Sequence, residues 1–381
     1  MSQNKSSVSP STVPQRSRRT RFVCISDTHN CTVKLPKGDV LIHCGDLTNQ
    51  GSFNELKKQV TWLERADFEC KLVIAGNHDL TLDTDFFEQF GGYFHNSTPQ
   101  DPVECQTLLA QSKSLVYLQH SSHTIKLTAP SGPRTTFNVF ASPYTPERGK
   151  WAFQYSRSDD TAAGRLWERI PLNTDILITH GPARTHRDES RHREAMGCES
   201  LRRAMWRVRP RIALCGHVHE ARGVERVRWD LSSKFVRYKE LENIYQWEDP
   251  GIGNEKNCLV DLTAKGGMPL DNDGGNVSSS SPPPPDVSVQ VTEGSTTEML
   301  FTTRASTRIV SEGANPGIGT RGLSGDPASP RSDGSVLAGR LGRRETCVVN
   351  CAIQAGSYPH AGSRTLHKPI VIDIDLPVWA G

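Results

Sequence analysis

No stretch of this 381-residue chain approaches the roughly 20 consecutive apolar residues that a membrane span needs. The first twenty residues, MSQNKSSVSPSTVPQRSRRT, have no apolar centre and do not read as a secretory signal. Hydrophobic residues make up only 35% of the chain and aromatics 7%, whereas an ordinary soluble domain is about 45–50% apolar when glycine is counted. With 31 glycines and 24 prolines as well, part of the chain is expected not to build core. The net charge of +3 is too small to mark a dedicated nucleic-acid binder. The ten cysteines contain no CxxC pair and follow no short regular spacing, which excludes a disulfide framework. Several interrupt apolar runs (FVCIS, LIHCGD, ALCGH) and read as reduced, buried residues. The expected compartment is therefore the cytoplasm or nucleus, with no membrane partner.

What is present is a series of short apolar runs beginning at Phe22. FVCIS, DVLIHCG, KLVIAG, TFNVFAS, DILITHG and RIALCGH each end at a polar or glycine-rich loop, the pattern of strands buried on both faces. Phe53–Arg65 carries Phe53, Leu56, Val60 and Leu63 at helical spacing, and Asp160–Arg169 and Cys198–Val208 read in the same way. Strands alternating with helices predict an α/β core. Residues 265–340 hold SSSSPPPP, GTRG and PASPRSDGS with Phe301 as their only aromatic, a composition that predicts disorder. Two strand-like runs follow, ETCVVNCAI and KPIVIDIDLPVW. The expectation is one discontinuous domain, 21–264 with 341–381, preceded by a disordered tail at 1–20 and interrupted by a disordered insert at 265–340.

Five apolar runs lead at once into candidate ligands: Asp27-Thr28-His29, Asp46, Asn77-His78-Asp79, His180-Gly181 and His217-Val218-His219. Open α/β sheets place their sites beyond the carboxyl ends of the strands, so these loops should converge. The i, i+2 spacing in two of them, taken as extended, would aim both side chains the same way. Carboxylates, an amide oxygen and imidazoles together suit manganese, iron or zinc, whereas magnesium and calcium prefer oxygen alone. Seven or eight ligands exceed the needs of one tetrahedral ion, and a pair sharing a carboxylate would use them all. His43, His95, His120, His123, His186, His192, His360 and His367 fall outside the pattern and read as packed or surface histidines.

The ordered set Asp27-x-His29, Gly45-Asp46, Gly76-Asn77-His78-Asp79, His180-Gly181 and Gly216-His217-x-His219 resembles the complete signature of the calcineurin-like metallophosphoesterase family. SPYTP (142–146), WAFQY (151–155) and the closing VVN and KPIVIDIDLP resemble its small metallophosphoesterase-domain branch. The resemblance implies a four-layer α/β/β/α sandwich with a dinuclear metal site at the strand ends. Carried over residue by residue, Asp27, His29, Asp46 and His219 would take one divalent ion. Asp46, Asn77, His180 and His217 would take the other. Manganese is the expected metal, with iron, zinc or magnesium as alternatives. His78 would stand beside the substrate as a catalytic group together with Asn77, and a hydroxide shared by the metals would attack phosphorus directly. Ala221 departs from the glycine expected after HVHE.

The protein Ser/Thr phosphatases of this family carry arginines that GDLTNQG and VIAGNHD lack, and the purple acid phosphatases carry a tyrosine that Asp46-Leu47-Thr48-Asn49 lacks. A nucleotide-type or other small phosphodiester is thus the expected substrate. A nuclease acting on nucleic acid and a protein-binding scaffold of weak activity are the alternatives. Between the last two ligand loops, Arg184–Arg211 holds nine arginines against four acids, which reads either as phosphate steering or as an internally balanced stretch.

Overall fold

The structure is a computed structural model. It describes residues 16–95, 97–230, 240–241, 245–247, 258–272, 286–287, 343–356 and 365–379. In chain order the first half gives β1 (Ser17–Ile25), β2 (Val40–Cys44), α1 (Phe53–Glu64), β3 (Cys70–Ile74), α2 (Thr84–Phe94), α3 (Pro102–Ala110), β4 (Val116–Tyr117), β5 (Ser121–Lys126) and β6 (Thr136–Ser142). Then come β7 (Thr145–Pro146), β8 (Gln154–Tyr155), α4 (Asp160–Glu168), β9 (Ile176–Thr179), α5 (Glu199–Val208) and β10 (Ile212–Cys215). The remaining strands are β11 (Gly223–Arg228), β12 (Tyr245–Trp247), β13 (Cys258–Leu262), β14 (Asp286–Val287), β15 (Glu345–Asn350) and β16 (Ile370–Pro377).

The strands form a six-stranded sheet, β13-β16-β1-β2-β3-β4, and an eight-stranded sheet, β12-β11-β15-β10-β9-β6-β5-β14. Alternation along each central strand feeds two different cores. Phe22, Cys24, Ile42, Leu72 and Ile372 of the first sheet meet Phe137, Val139, Ile178, Leu214 and Val349 of the second. The Phe22 and Phe137 rings touch edge to face at 5.3 Å. The intervening residues Val23, Ile25, Leu41 and Val73 face α1 and α3 through Leu56, Val60, Leu63, Cys105 and Leu109. On the other side Phe140, Leu177, Ala213 and Val348 pack on Trp167 of α4 and on Leu201, Met205 and Val208 of α5. The order helix, sheet, sheet, helix is the expected four-layer α/β/β/α sandwich. All ten cysteines are free thiols, nine of them buried.

The three helices read from the sequence are α1, α4 and α5, whereas α2 and α3 were not read. Both of these start at an aspartate cap, Asp83 Oδ1 accepting from Phe86 N and Asp101 Oδ1 from Val103 N. The apolar face of α3 is poorly separated, with Val103 exposed, whereas α2 buries only Gly91 fully and exposes Tyr93. Helix α1 opens with a capping box between Ser52 and Glu55. Glu55 Oε1 also accepts from Asn30 Nδ2 and Asn49 N, joining the loops that follow β1 and β2.

The chain boundaries differ from the composition-based expectation at two edges. Strand β1 starts at Ser17 inside the expected tail, because Ser17–Arg21 pairs in register with Asp373–Pro377 of β16. Residues 265–272 were expected in the disordered insert, but they are folded onto β15: Asn272 Nδ2 donates to Glu345 O, and Asn272 bridges Arg343. Within 273–340 only β14 is described, pairing with β5. The rest of the expected insert, and residues 1–15 of the expected tail, lie outside the described residues. Among the described residues no helix is long and apolar enough to cross a membrane.

Candidate metal centre

The five loops converge at one end of the sandwich, three from the six-stranded sheet (after β1, β2 and β3) and two from the eight-stranded sheet (after β9 and β10). They assemble two groups of donor atoms, Asp27 with His29 and His219, and Asp46 with His180 and His217. Within each group one ligand atom per residue lies within 4.8 Å of the others. Asp46 stands between them, its Oδ2 3.4 Å from His180 Nε2 and 3.6 Å from His29 Nε2. Asn77 Oδ1 reaches His180 Nε2 at 3.0 Å. Asp27 Oδ1 lies 3.2 Å from His219 Nε2, and both of its oxygens accept from His217 N at 3.0 Å. All seven ligand candidates, together with His78, are therefore brought to one place.

The two i, i+2 pairs do not lie on the extended backbone that their spacing suggests. Asp27, His29, Asp46 and His217 have φ of 54°, 42°, 56° and 66°, a left-handed conformation that non-glycine residues rarely adopt. Such turns cost about 1–3 kcal/mol each and persist where the surroundings impose them. The turns also split one pair, since His217 joins Asp46 while His219 joins Asp27. Gly76 and Gly216 let the carboxylates come in close: a Cβ on Gly216 would overlap Asp27 Oδ2, and one on Gly76 would overlap Asp46 Oδ1.

The donor set fits divalent cations, and the tautomers show why. His29, His180 and His219 each turn Nδ1 to a backbone carbonyl, Thr48 O at 3.1 Å, Cys44 O at 2.9 Å and Gly356 O at 2.7 Å. A carbonyl only accepts, so Nδ1 carries the proton and Nε2 presents a lone pair inward. These lone pairs face one another (His29 to His219, 3.4 Å), the Asn77 oxygen and two buried carboxylates. Acceptors facing acceptors in a buried site call for positive charge. Protons respond to the same demand. Burial disfavours the His180 cation, yet Asp46 and Asp27 outweigh burial and push its pKa up to about 9. His219 is likewise raised to about 8, with Asp27 overcoming burial. Burial wins at His29 and His217, each lowered to about 3. Burial would raise both carboxyls, but the surrounding histidines hold Asp27 and Asp46 below the usual range.

His78 belongs to neither donor group. Its Nδ1 donates to Asn49 O at 2.9 Å, its backbone N donates to Asp46 Oδ1 at 2.8 Å, and its ring meets His29 edge on at 4.8 Å. Trp151 stacks on the His78 ring at 4.0 Å, and Phe94 follows at 5.5 Å. Farther out, Lys150 Nζ sits 5.1 Å from the Phe90 ring and 5.9 Å from that of the exposed Tyr93. An aromatic wall thus runs from His78 to solvent. The resemblance carried by WAFQY assigns no role to Trp151; its place against His78 comes from the fold.

Asp79 also lacked a role. It is fully buried and accepts from Leu47 N, Thr48 N, Thr48 Oγ1 and Gly76 N at 2.7–3.2 Å. It therefore clamps the Asp46 loop to the Asn77 loop. Its place in Gly-Asn-His-Asp was the available signal.

The arginine-rich stretch is mainly structural. Arg202 forks onto Glu240 with two contacts of 2.9 Å, Arg207 caps the carbonyls after α4 (Ile170 O, 2.7 Å), and Arg211 faces Asp175. Arg209 is fully buried and bonds Trp206 O, and Arg187 bonds Val224 O. Of the others, Arg184, Arg191 and Arg193 are exposed, and Arg193 pairs with Glu189.

Within this stretch His186 is buried between Glu225 (Nδ1–Oε1, 2.6 Å) and Glu240 (Nε2–Oε1, 3.0 Å), with Arg187 and Arg202 facing the same carboxylates. Burial opposes its charge, but the two glutamates prevail and raise the pKa from 6.5 to about 9. A raised folded-state pKa stabilises fully below 6.5, and that contribution is lost as pH climbs through 9. The melting temperature of the metal-loaded protein should accordingly fall between pH 6.5 and 9, and His186→Gln should flatten that decline. Parallel declines in both proteins would contradict the assignment.

The calcineurin-like phosphoesterase family model matches residues 20–221, more than half of the chain. The chain belongs to that family. Among its relatives, human metallophosphoesterase domain-containing protein 1 is 37% identical over 223 residues, 56% of this chain and 65% of its own length. UPF0046 protein K07C11.7 of Caenorhabditis elegans is 36% identical over 206 residues, covering 54% and 65%. A protein of Emericella nidulans named "Probable rhamnogalacturonate lyase C" is 41% identical over 216 residues, 56% of this chain but 18% of its own. The chain thus spans less than two thirds of each of these relatives.

Proposed function

We propose that this protein is a metal-dependent phosphodiesterase acting on small, nucleotide-type phosphodiesters. The observation that carries the proposal is the placement of Asp46 Oδ2 between two histidine–carboxylate groups, with His78 beside both. In this reading Asp27, His29, Asp46 and His219 hold one divalent ion, and Asp46, Asn77, His180 and His217 hold the other, manganese being the expected metal. Bound there, the ions supply Lewis acidity, lowering the pKa of water and neutralising phosphate oxygens.

The chain's own groups do the rest. Backbone carbonyls at Thr48, Cys44 and Gly356 hold three imidazoles in the ligand tautomer, so little reorganisation accompanies substrate binding. Asn49 O fixes the Nδ1 proton of His78, making Nε2 the position that exchanges a proton with the leaving oxygen. Trp151, backed by Phe94, offers a planar ring, such as a base or an aryl group, a surface next to His78. That surface favours a diester bearing such a ring over a bare phosphomonoester. The seating of Arg187, Arg202, Arg207, Arg209 and Arg211 in the fold leaves nucleic acid the less favoured substrate.

A panel tests the proposal: bis(4-nitrophenyl) phosphate, 4-nitrophenyl phosphate and 2′,3′- and 3′,5′-cyclic nucleotides, each with Mn²⁺ and with Mg²⁺. Turnover of the diesters, above that of the monoester and abolished by chelation, is the expected result. Metal binding without turnover of any substrate would overturn the enzymatic reading in favour of a scaffold.

A further inference from the structure

The family match ends at residue 221, yet the site is closed by a segment more than a hundred residues later. Strand β15 lies between β11 and β10 in the eight-stranded sheet. Its last residue, Asn350, pairs with Cys215 at the end of β10, level with the start of the His217–His219 loop. The chain then crosses to the other sheet: Ala352 bridges Ser26 just after β1, and Ile353 N donates to Ser26 O at 2.9 Å. Residues 350–354 thus form a strap across the end of the sandwich, beneath the metal centre.

The strap's side chains hold the ligand loops. Asn350 is fully buried, and its Nδ2 donates to Val218 O at 2.8 Å, Arg187 O at 3.2 Å and Gly216 O at 3.3 Å. Its Oδ1 accepts from Ala352 N, which fixes the amide with its hydrogens toward those carbonyls. The loop it grips carries His217 in a left-handed conformation. Gln354, also buried, donates from Nε2 to Thr28 O at 3.1 Å, between Asp27 and His29. Gly356 O accepts from His219 Nδ1. One continuous segment therefore contacts both loops that supply paired ligands.

We infer that Asn350 and Gln354 are positioning residues that set metal affinity by holding the His217–His219 loop against the Asp27–His29 loop. The inference rests on the ligand assignment proposed above. Neither residue touches a reacting atom; each acts through backbone carbonyls of the loops. Loss of outer partners of this kind lowers metal affinity by about 10–100-fold.

The test is calorimetric titration of Mn²⁺ into the full-length apoprotein, in wild type, Asn350→Ala and Gln354→Met. The expected result is a Kd raised about 10–100-fold in Asn350→Ala and about tenfold in Gln354→Met. The Mn²⁺ concentration giving half-maximal diesterase activity should rise in step. A purely structural role would lower the melting temperature of the apoprotein and leave Kd at the wild-type value, and that outcome overturns the inference. Should Asn350→Ala fail to fold, Gln354→Met decides, since methionine fills similar space without a donor. Wild-type protein that binds no Mn²⁺ overturns the ligand assignment and the inference together. Wild-type binding with unaltered variants overturns the inference alone.

Discussion

Asp46→Asn should lower kcat on a phosphodiester by about 10³-fold or more, because several kcal/mol of Lewis-acid stabilisation depend on the ions this carboxylate would share, at about 1.4 kcal/mol per tenfold. The substitution is nearly isosteric and preserves an oxygen for His78 N, which now bonds Asp46 Oδ1. What changes is the atom facing His180 and His29. An amide nitrogen there would donate to the Nε2 lone pairs, occupying without a cation the space where the ions are proposed to bind. The variant should therefore fold while its metal content, measured by elemental analysis after gel filtration, falls by at least one equivalent. Wild-type metal content with near wild-type turnover would remove Asp46 from the bridging role.

His78→Ala should keep its metals and still lose about 10²–10⁴-fold in kcat, the usual worth of a positioned proton-transfer group. Its ring lies outside both donor groups but touches His29 and Trp151. Proton donation to the leaving oxygen matters most when that oxygen is basic. The loss should be larger for an alkyl leaving group than for 4-nitrophenoxide, which departs unaided. Equal losses for both leaving groups would make His78 a binding residue, and loss of metal would make it a ligand.

The two substitutions separate what the sequence displayed from what it concealed. Asp46 and His78 each lie in the loop that follows a buried strand, and a strand's end is a local property, readable from a run such as LIHC and the glycine after it. The convergence of five such ends follows from the general behaviour of α/β sheets, so the ligand candidates could be gathered from sequence. The conformation that aims them could not. The i, i+2 spacing suggested extended pairs, whereas the chain turns left-handed at Asp27, His29 and His217. The Gly45 O and Asp46 O contacts that fix the first turn come from the neighbouring strand's loop. Arginine count was similarly uninformative: Arg202 and Arg209 look alike in the sequence, and only their folded neighbours, Glu240 and Trp206 O, show that both serve the interior. Trp151 and Phe94 lie 57 positions apart and become one wall only when α2 packs beside the Asn77 loop.

By itself, the sequence determined the alternation of strand and helix, the order of the ligand-bearing loops and the four-layer architecture their resemblance implied. The alternation and the position of the loops are written in short-range periodicity, where each side chain's face is set by its position within a few residues, whereas the four-layer architecture was implied by the motif resemblance alone. The closing strand-like runs imply that 341–381 rejoins the domain, but tertiary structure alone decided that β15 inserts between β11 and β10 and β16 between β13 and β1. It also decided that the strap between those sheets places Asn350 and Gln354 under the ligand loops. The physical reason is that a hydrogen bond across more than a hundred residues depends on strand order and register. Those are fixed by burying both faces of every central strand at once, and no local pattern carries them.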